Sequence, residues 1–341
     1  LNALALTVFL LPGLCWWVWL GERGKDPLEA LADILGVSAA ITALGALFFY
    51  VLRLPVSAAL LGVLLGLTLI LTGYGIHQKR NERLFSGAWL PALAFFGVLC
   101  FWRVWQAKGL ALPAWVDSLH HSLIIRKMVE AGGLTSTLEP YLPGPFYYHY
   151  AVHSAAALVS AISGTPPAET LLWLGQIISA GVSLSMYSLV KASTKDWRPA
   201  ALAALLAAFA TKMPGYYLSW GRYTLLSGMF LLPLAMAEAV RLANGEKTRR
   251  SAPLLAVLTA GTLLSHYLAA VLLALFLLVL ALTLLARNIR RYHEAAALHE
   301  IRFAVLAEKM RIGDDLAARI FGGEMIEEQR GPARTEPREA V

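Results

Sequence analysis

Apolar residues run in long blocks along this chain, and polar residues fall in short clusters between them. A helix that crosses a bilayer needs about 20 predominantly apolar residues. Residues 3–20, 32–52, 55–75, 88–106, 168–190 and 222–241 come close to that length or exceed it. Residues 199–213 form a shorter run that ends at Met213-Pro214-Gly215. Residues 253–287 are too long for one span and are interrupted at Ser265-His266-Tyr267, which predicts two helices meeting near residue 266. Short or broken helices are tolerated in membranes where they line a protein cavity. The pattern predicts an all-α fold, a polytopic transmembrane bundle of about nine spans.

Composition agrees. Of 341 residues, 58% are hydrophobic and only 15% charged, and the mean hydropathy is +0.60. These values exclude an ordinary soluble domain. The net charge of +7 is the excess expected of cytoplasmic loops, and no basic patch is interleaved with aromatics, so no nucleic-acid partner is expected. Cys15 and Cys100 lie in apolar runs and read as packed thiols. Residue 1 is Leu, which suits a fragment or a processed chain. The first apolar run lacks a basic flank and an A-x-A-like site, so it reads as a helix and not a cleaved signal.

Lys and Arg set the orientation. Lys79, Arg80 and Arg83 follow the third span; Lys191, Lys195 and Arg198 follow residue 190; Arg241, Lys247, Arg249 and Arg250 follow residue 241; Arg287, Arg290 and Arg291 follow the last span. All four clusters are cytoplasmic together if residues 149–164, HYAVHSAAALVSAISG, do not cross. That segment is then an interfacial or re-entrant helix. The resulting layout has N-terminal transmembrane helices at 1–87 and a transmembrane core at 88–287 with an outer loop at 107–167. A polar cytoplasmic tail follows at 288–341; its first part is expected to be helical and its end, EEQRGPARTEPREAV, disordered. The expected location is the plasma membrane.

Under this topology His120, His121, His149, His153 and His266, five of the eight histidines, fall on the outer side with Asp117, Glu139, Trp220, Arg222 and Tyr223. In WVDSLHHSLIIRKM, Asp117 and His121 are i, i+4 on one helix face, with His120 beside them. That pair could be a base with its orienting partner, two metal ligands, or a dipole-stabilised helix start at a wet interface. In EPYLPGPFYYHYAVH, His149 and His153 repeat the spacing, Glu139 offers a second acid, and Tyr148 belongs to an aromatic run. Such a run can stack on a sugar or form an interfacial belt. In MPGYYLSWGRY, Arg222 opens a helix at the membrane edge and needs an anionic partner; a lipid phosphate or a headgroup would serve. His266 interrupts an apolar run, where a histidine is either functional or a local cap.

In order, these segments resemble a known family. An outer loop opens with an acidic residue and runs through a Pro-rich aromatic stretch into YHYAVHSAAALVSAISG. Next come a span, ETLLWLGQIISAGVSLSMYSLV, a basic turn and a short helix ending in MPGYYLSWGRY. This layout over residues 1–287 resembles the GT-C class of integral membrane glycosyltransferases, such as protein mannosyltransferases, aminoarabinose transferases and oligosaccharyltransferase catalytic subunits. The N-terminal FLLPGL…LADILGVSAAI resembles the leading helices of prokaryotic members. The resemblance implies a sugar donor linked to a polyprenyl or dolichyl phosphate, an acceptor on the outer face, and a catalytic acid at Asp117. It implies a donor-phosphate contact at Arg222 and, in some members, a divalent metal such as Mg or Mn; the histidine spacing makes His120, His121, His149 and His153 possible ligands for one. Tyr150 and Ala151 stand where the family's interfacial helix carries prolines. Only six spans follow residue 87, and no large outer soluble domain follows them. Three other readings compete: a transporter or flippase for a lipid-linked glycan, a histidine-rich metal oxygenase or hydrolase, and a non-catalytic subunit needing a partner chain. No HExxH sequence is present for the second of these.

Overall fold

The computed structural model describes residues 3–22, 25–82, 84–246 and 250–328. Of the described residues, those up to 280 form one compact unit and those from 281 a second. The chain begins with α1 (Ala3–Leu20), α2 (Pro27–Val51), α3 (Ala58–Gln78) and α4 (Trp89–Ala107). Then come α5 (Val116–Ala131), an antiparallel hairpin of β1 (Thr137–Leu138) and β2 (Leu142–Pro145), and α6 (Ala151–Ser163). α7 (Pro167–Thr194) and α8 (Trp197–Leu205) follow, with a π-helical turn at Leu206–Ala210. α9 (Gly215–Ser219), α10 (Tyr223–Ala243), α11 (Ser251–Ser265) and α12 (Tyr267–Glu328) complete it.

Among the described residues, α2, α3, α4, α7, α10 and α12 are long and apolar enough to cross a membrane, and α1, α6 and α11 contain shorter apolar stretches. Val63, Leu67 and Ile70 on α3, Phe101 on α4 and Leu275 on α12 are exposed. In water these would make an apolar patch far larger than a monomer tolerates. Facing hydrocarbon they cost nothing, which marks a membrane-embedded helical protein.

Local signals explain the boundaries. Asp26 caps α2 by accepting the Leu28 N–H at 2.8 Å, and Pro27 occupies the first turn. The helix therefore starts five residues before the apolar run at 32–52 and carries Glu29 and Asp33 inside it. Residues 149–164 hold the short helix α6, closed by Gly164 at φ +67°. The predicted break falls at His266, whose extended backbone separates α11 from α12. Residues 199–213 hold the end of α8 and the π turn. The tail is helical to Glu328; its expected disordered end at 329–341 lies outside the described residues, as do Arg83, Lys247 and Arg249.

α7 and α10 are the most buried of the long helices, joined where the Ser185 hydroxyl donates to the Phe230 carbonyl at 2.7 Å. α10 also fixes the two ends of the bundle. Tyr223 begins it, and Arg241 lies 18 residues later, about 27 Å away along the axis. At the Arg241 end, Lys25 bridges Asp33 at 2.5 Å and Glu238 at 3.1 Å. Arg241 joins Glu238 to Glu29, and Lys191 pairs with Asp26 at 2.5 Å. The Tyr223 end gathers histidines.

Candidate functional site

α5 buries Ser118, His121, Ile124, Ile125 and Met128 along one stripe. Asp117 sits in its first turn, immediately after Trp115, which has φ +75°. A non-glycine residue there is strained, and such strain is retained where the surroundings enforce it. The second component is the Trp220-Gly221-Arg222 turn between α9 and α10. Gly221 has φ +66°, and a Cβ on it would lie 3.0 Å from Ser118 Oγ and 3.2 Å from Asp117 Cβ. Glycine thus meets two demands, a left-handed backbone and close approach to α5. The approach brings Arg222 Nη1 to 3.2 Å from Asp117 Oδ2, with the guanidinium 4.7 Å from the Trp220 ring centroid. Both side chains remain about 40% exposed (43% and 37%).

Behind this ion pair runs a histidine relay. His121 Nε2 lies 3.0 Å from the Gly221 carbonyl, which only accepts, so Nε2 carries the proton. His121 Nδ1 is then the acceptor for His153 Nε2–H at 2.9 Å. That assignment leaves His153 Nδ1 as a bare lone pair, buried and without a partner among the described residues. Burial is the main influence on the imidazole of His121 and pushes its pKa down to about 4, against smaller raising contributions from the Gly221 carbonyl and Asp117. His121 is therefore neutral at pH 7 with both ring nitrogens engaged.

Aromatic contacts extend the cluster. Tyr148 lies 5.9 Å from both His121 and His153 and 5.4 Å from His149, measured between ring centroids. His149 stacks on His266 at 4.9 Å and accepts the Tyr267 N–H at 3.0 Å. Tyr223 sets its edge toward His121 at 5.9 Å. Burial lowers the pKa of His149, and its Nδ1 is a second buried ring nitrogen without a partner.

The structure thus brings Asp117, His121, Tyr148, His149, His153, Trp220, Arg222, Tyr223 and His266 to one end of the bundle. Glu139 is exposed beside the hairpin, and its carboxylate has no hydrogen bond or ion pair among the described residues. His120 points outward from α5. Among the described residues no three His, Cys, Asp or Glu side chains gather closely enough to hold a metal ion. The set His120, His121, His149 and His153 does not converge as ligands: His121 and His153 hydrogen-bond to each other, His120 is exposed, and no third ligand joins the pair among the described residues. Asp117 and His121 are close enough to interact electrostatically but are not hydrogen-bonded: Asp117 holds Arg222, and the Gly221 carbonyl and His153 orient His121. Arg222 has a protein carboxylate as its partner. The sequence reading missed Gly221, whose signal was a lone glycine between two large side chains just before a helix.

No curated protein and no solved structure matches the chain closely enough to stand as a relative. One family model does match, over residues 6–308. That span is most of the sequence, and the chain belongs to the family of unknown function DUF6541.

Proposed function

We propose that this protein is a membrane glycosyltransferase that moves a sugar from a polyprenyl-phosphate donor to an acceptor at the outer membrane face. One observation carries the reading: a half-exposed carboxylate and guanidinium, Asp117 and Arg222, are held 3.2 Å apart at a helix start by a buried scaffold. The transfer needs those two charges. Asp117 takes the proton of the acceptor hydroxyl as its oxygen attacks the anomeric carbon. The bond from that carbon to the donor phosphate oxygen breaks, and the electron pair leaves with the phosphate. Arg222 stabilises the charge that develops there. The proton on Asp117 is afterwards lost to water.

His121 is a positioning residue in this scheme. It has no free lone pair with which to act as a base, and it ties the Gly221 turn to α5 and α6. Tyr148 and Trp220 offer aromatic faces for a sugar ring. The membrane edge suits a donor whose phosphate sits at the headgroup level. Lys79, Lys191 and Arg241 support the sidedness, because their spans end away from the histidine cluster and basic residues favour the cytoplasmic side.

The test is sugar transfer in proteoliposomes with mixed radiolabelled polyprenyl-phosphate sugars. Wild type is expected to transfer, and Asp117→Asn to lose at least about 100-fold, the scale of a lost general base. Transfer by neither form overturns the reading in favour of a subunit that needs a partner chain.

A further inference from the structure

α4 buries Ala92, Leu99, Arg103 and Ala107 along one stripe. Three of these suit an apolar interface; Arg103, 4% exposed, does not. Its Nη2 donates to the carbonyls of Ala207 at 3.2 Å and Ala208 at 2.9 Å, and its Nη1 to Gln106 Oε1 at 3.2 Å. The two carbonyls belong to the π turn that ends α8, where the last carbonyl groups have no intrahelical donor. All three acceptors are neutral. A guanidinium has five N–H donors, and the Nε–H and the second Nη1–H have no partner among the described residues. A buried cation bonded only to neutral groups is an incomplete arrangement.

Arg103 lines a cavity of about 470 Å³ between α4, α7 and the π turn, within the size range of small-ligand sites. Among the described residues no carboxylate lines it, and a second cation, Lys212, stands at its edge. Gln176 of α7 faces the same space, is 4% exposed and makes no side-chain hydrogen bond among the described residues. A Cβ on Gly215 would lie 2.5 Å from Arg103 Nη1, so glycine there leaves the guanidinium its room. Trp102 and Phe209, ring centroids 5.8 Å apart, form an apolar wall whose residues are partly exposed on the flank of the bundle.

We propose that this cavity is a binding site for a phosphate group, held by Arg103, Lys212 and Gln176. Arg103 offers two free donors and Gln176 an amide N–H, which matches the several acceptor oxygens of a phosphate. The apolar wall suits a phosphate carried on a hydrocarbon chain. The site involves neither Asp117 nor Arg222, and the inference stands whether or not those residues transfer a sugar.

Native mass spectrometry of the full chain in detergent tests it, with dioleoyl phosphatidate as probe, dioleoylglycerol as the phosphate-free counterpart and inorganic phosphate as competitor. The wild type is expected to retain phosphatidate at least 10-fold better than dioleoylglycerol. Arg103→Gln should remove that preference. Lys212→Gln, at an exposed position, should reduce it about 3-fold, and Arg126→Gln, which removes a cation elsewhere, should leave it unchanged. Phosphatidate that inorganic phosphate fails to displace supports the site as one for a lipid headgroup. Displacement at equal concentration supports it as one for the free ion. Equal retention of dioleoylglycerol, or full preference in the Lys212→Gln protein, overturns the proposal.

Discussion

α10 joins two polar regions built on opposite plans. At its Arg241 end, charges are buried and answered. Lys25 touches two carboxylates, Arg241 touches two, and Glu238 serves both cations. At its Tyr223 end the ion pair of Asp117 with Arg222 is about 40% exposed. Behind it lie His149 Nδ1, Tyr150 OH and His153 Nδ1, all buried and without partners among the described residues. A saturated network holds helices in register and has no valence left for a ligand. An open pair on a strained turn has that capacity, at a loss in local stability. Charge density alone would point to the Arg241 end; open valence points to the Tyr223 end.

The largest effect expected from breaking this contrast lies in the saturated network. Glu238→Gln leaves Lys25 and Arg241 sharing too little negative charge in a buried site. Removing one partner from such a cluster costs about 3–5 kcal/mol. Thermal unfolding of the detergent-solubilised chain measures it, and a loss below about 1 kcal/mol would mean that this network is as dispensable as a surface pair.

Acid should act on the other end. His121 has a folded pKa of about 4, below the ordinary value of 6.5. The unfolded chain therefore binds a proton between those values that the fold refuses. Stability is full above pH 6.5 and falls as pH drops toward 4, by up to about 3 kcal/mol. Unfolding midpoints measured from pH 7.5 to 4.5 should show this slope, and His121→Gln should flatten that component. An unchanged slope in the variant would remove His121 from the account.

The two regions also differ in how legible they were. Helix layout follows from apolar run length, so the six long apolar helices, the short helix α6 and the break at His266 could be read directly, whereas the expected total of about nine spans exceeds the six that length and hydropathy support among the described residues. The clustering of Asp117, His121, His149, Arg222 and His266 followed from counting crossings. Which of them bond could not be read. Asp117 and His121 share a helix face, yet the partners that matter come from Gly221, 100 positions beyond His121, and His153, 32 positions beyond it. The saturated network is not legible in the sequence because its members are scattered: Lys25 and Glu238 lie 213 positions apart. A signal did exist, since Asp33 and Glu238 inside apolar helices each demand a countercharge. Arg103 carried the same signal within a span.

Gly221→Ala tests the turn that couples α5 to α10. The new Cβ meets a left-handed backbone and a Ser118 Oγ at 3.0 Å. A cost of about 1–2 kcal/mol is expected from the conformation alone. Relaxing the contact must also widen the gap between Arg222 and Asp117. Sugar transfer should therefore fall further than stability does, and equal falls would make the turn a purely structural element.

The smallest stability effect should come from the residue with the largest effect on transfer. Asp117 and Arg222 are both half in solvent, where an ion pair contributes about 0–1 kcal/mol. Asp117→Asn keeps the shape, retains an acceptor oxygen for Arg222 and removes only the charge. Its unfolding midpoint should lie within about 1 kcal/mol of wild type. The same substitution should abolish transfer, because an amide cannot take the acceptor's proton. Measured together, the two values separate the regions more sharply than either alone. Glu238→Gln should lose stability first, and activity only in proportion to the unfolded fraction. Asp117→Asn should lose activity with its fold intact. If Asp117→Asn instead unfolds the protein, the pair at the helix start belongs with the saturated network, and the chemistry must be sought elsewhere in the bundle.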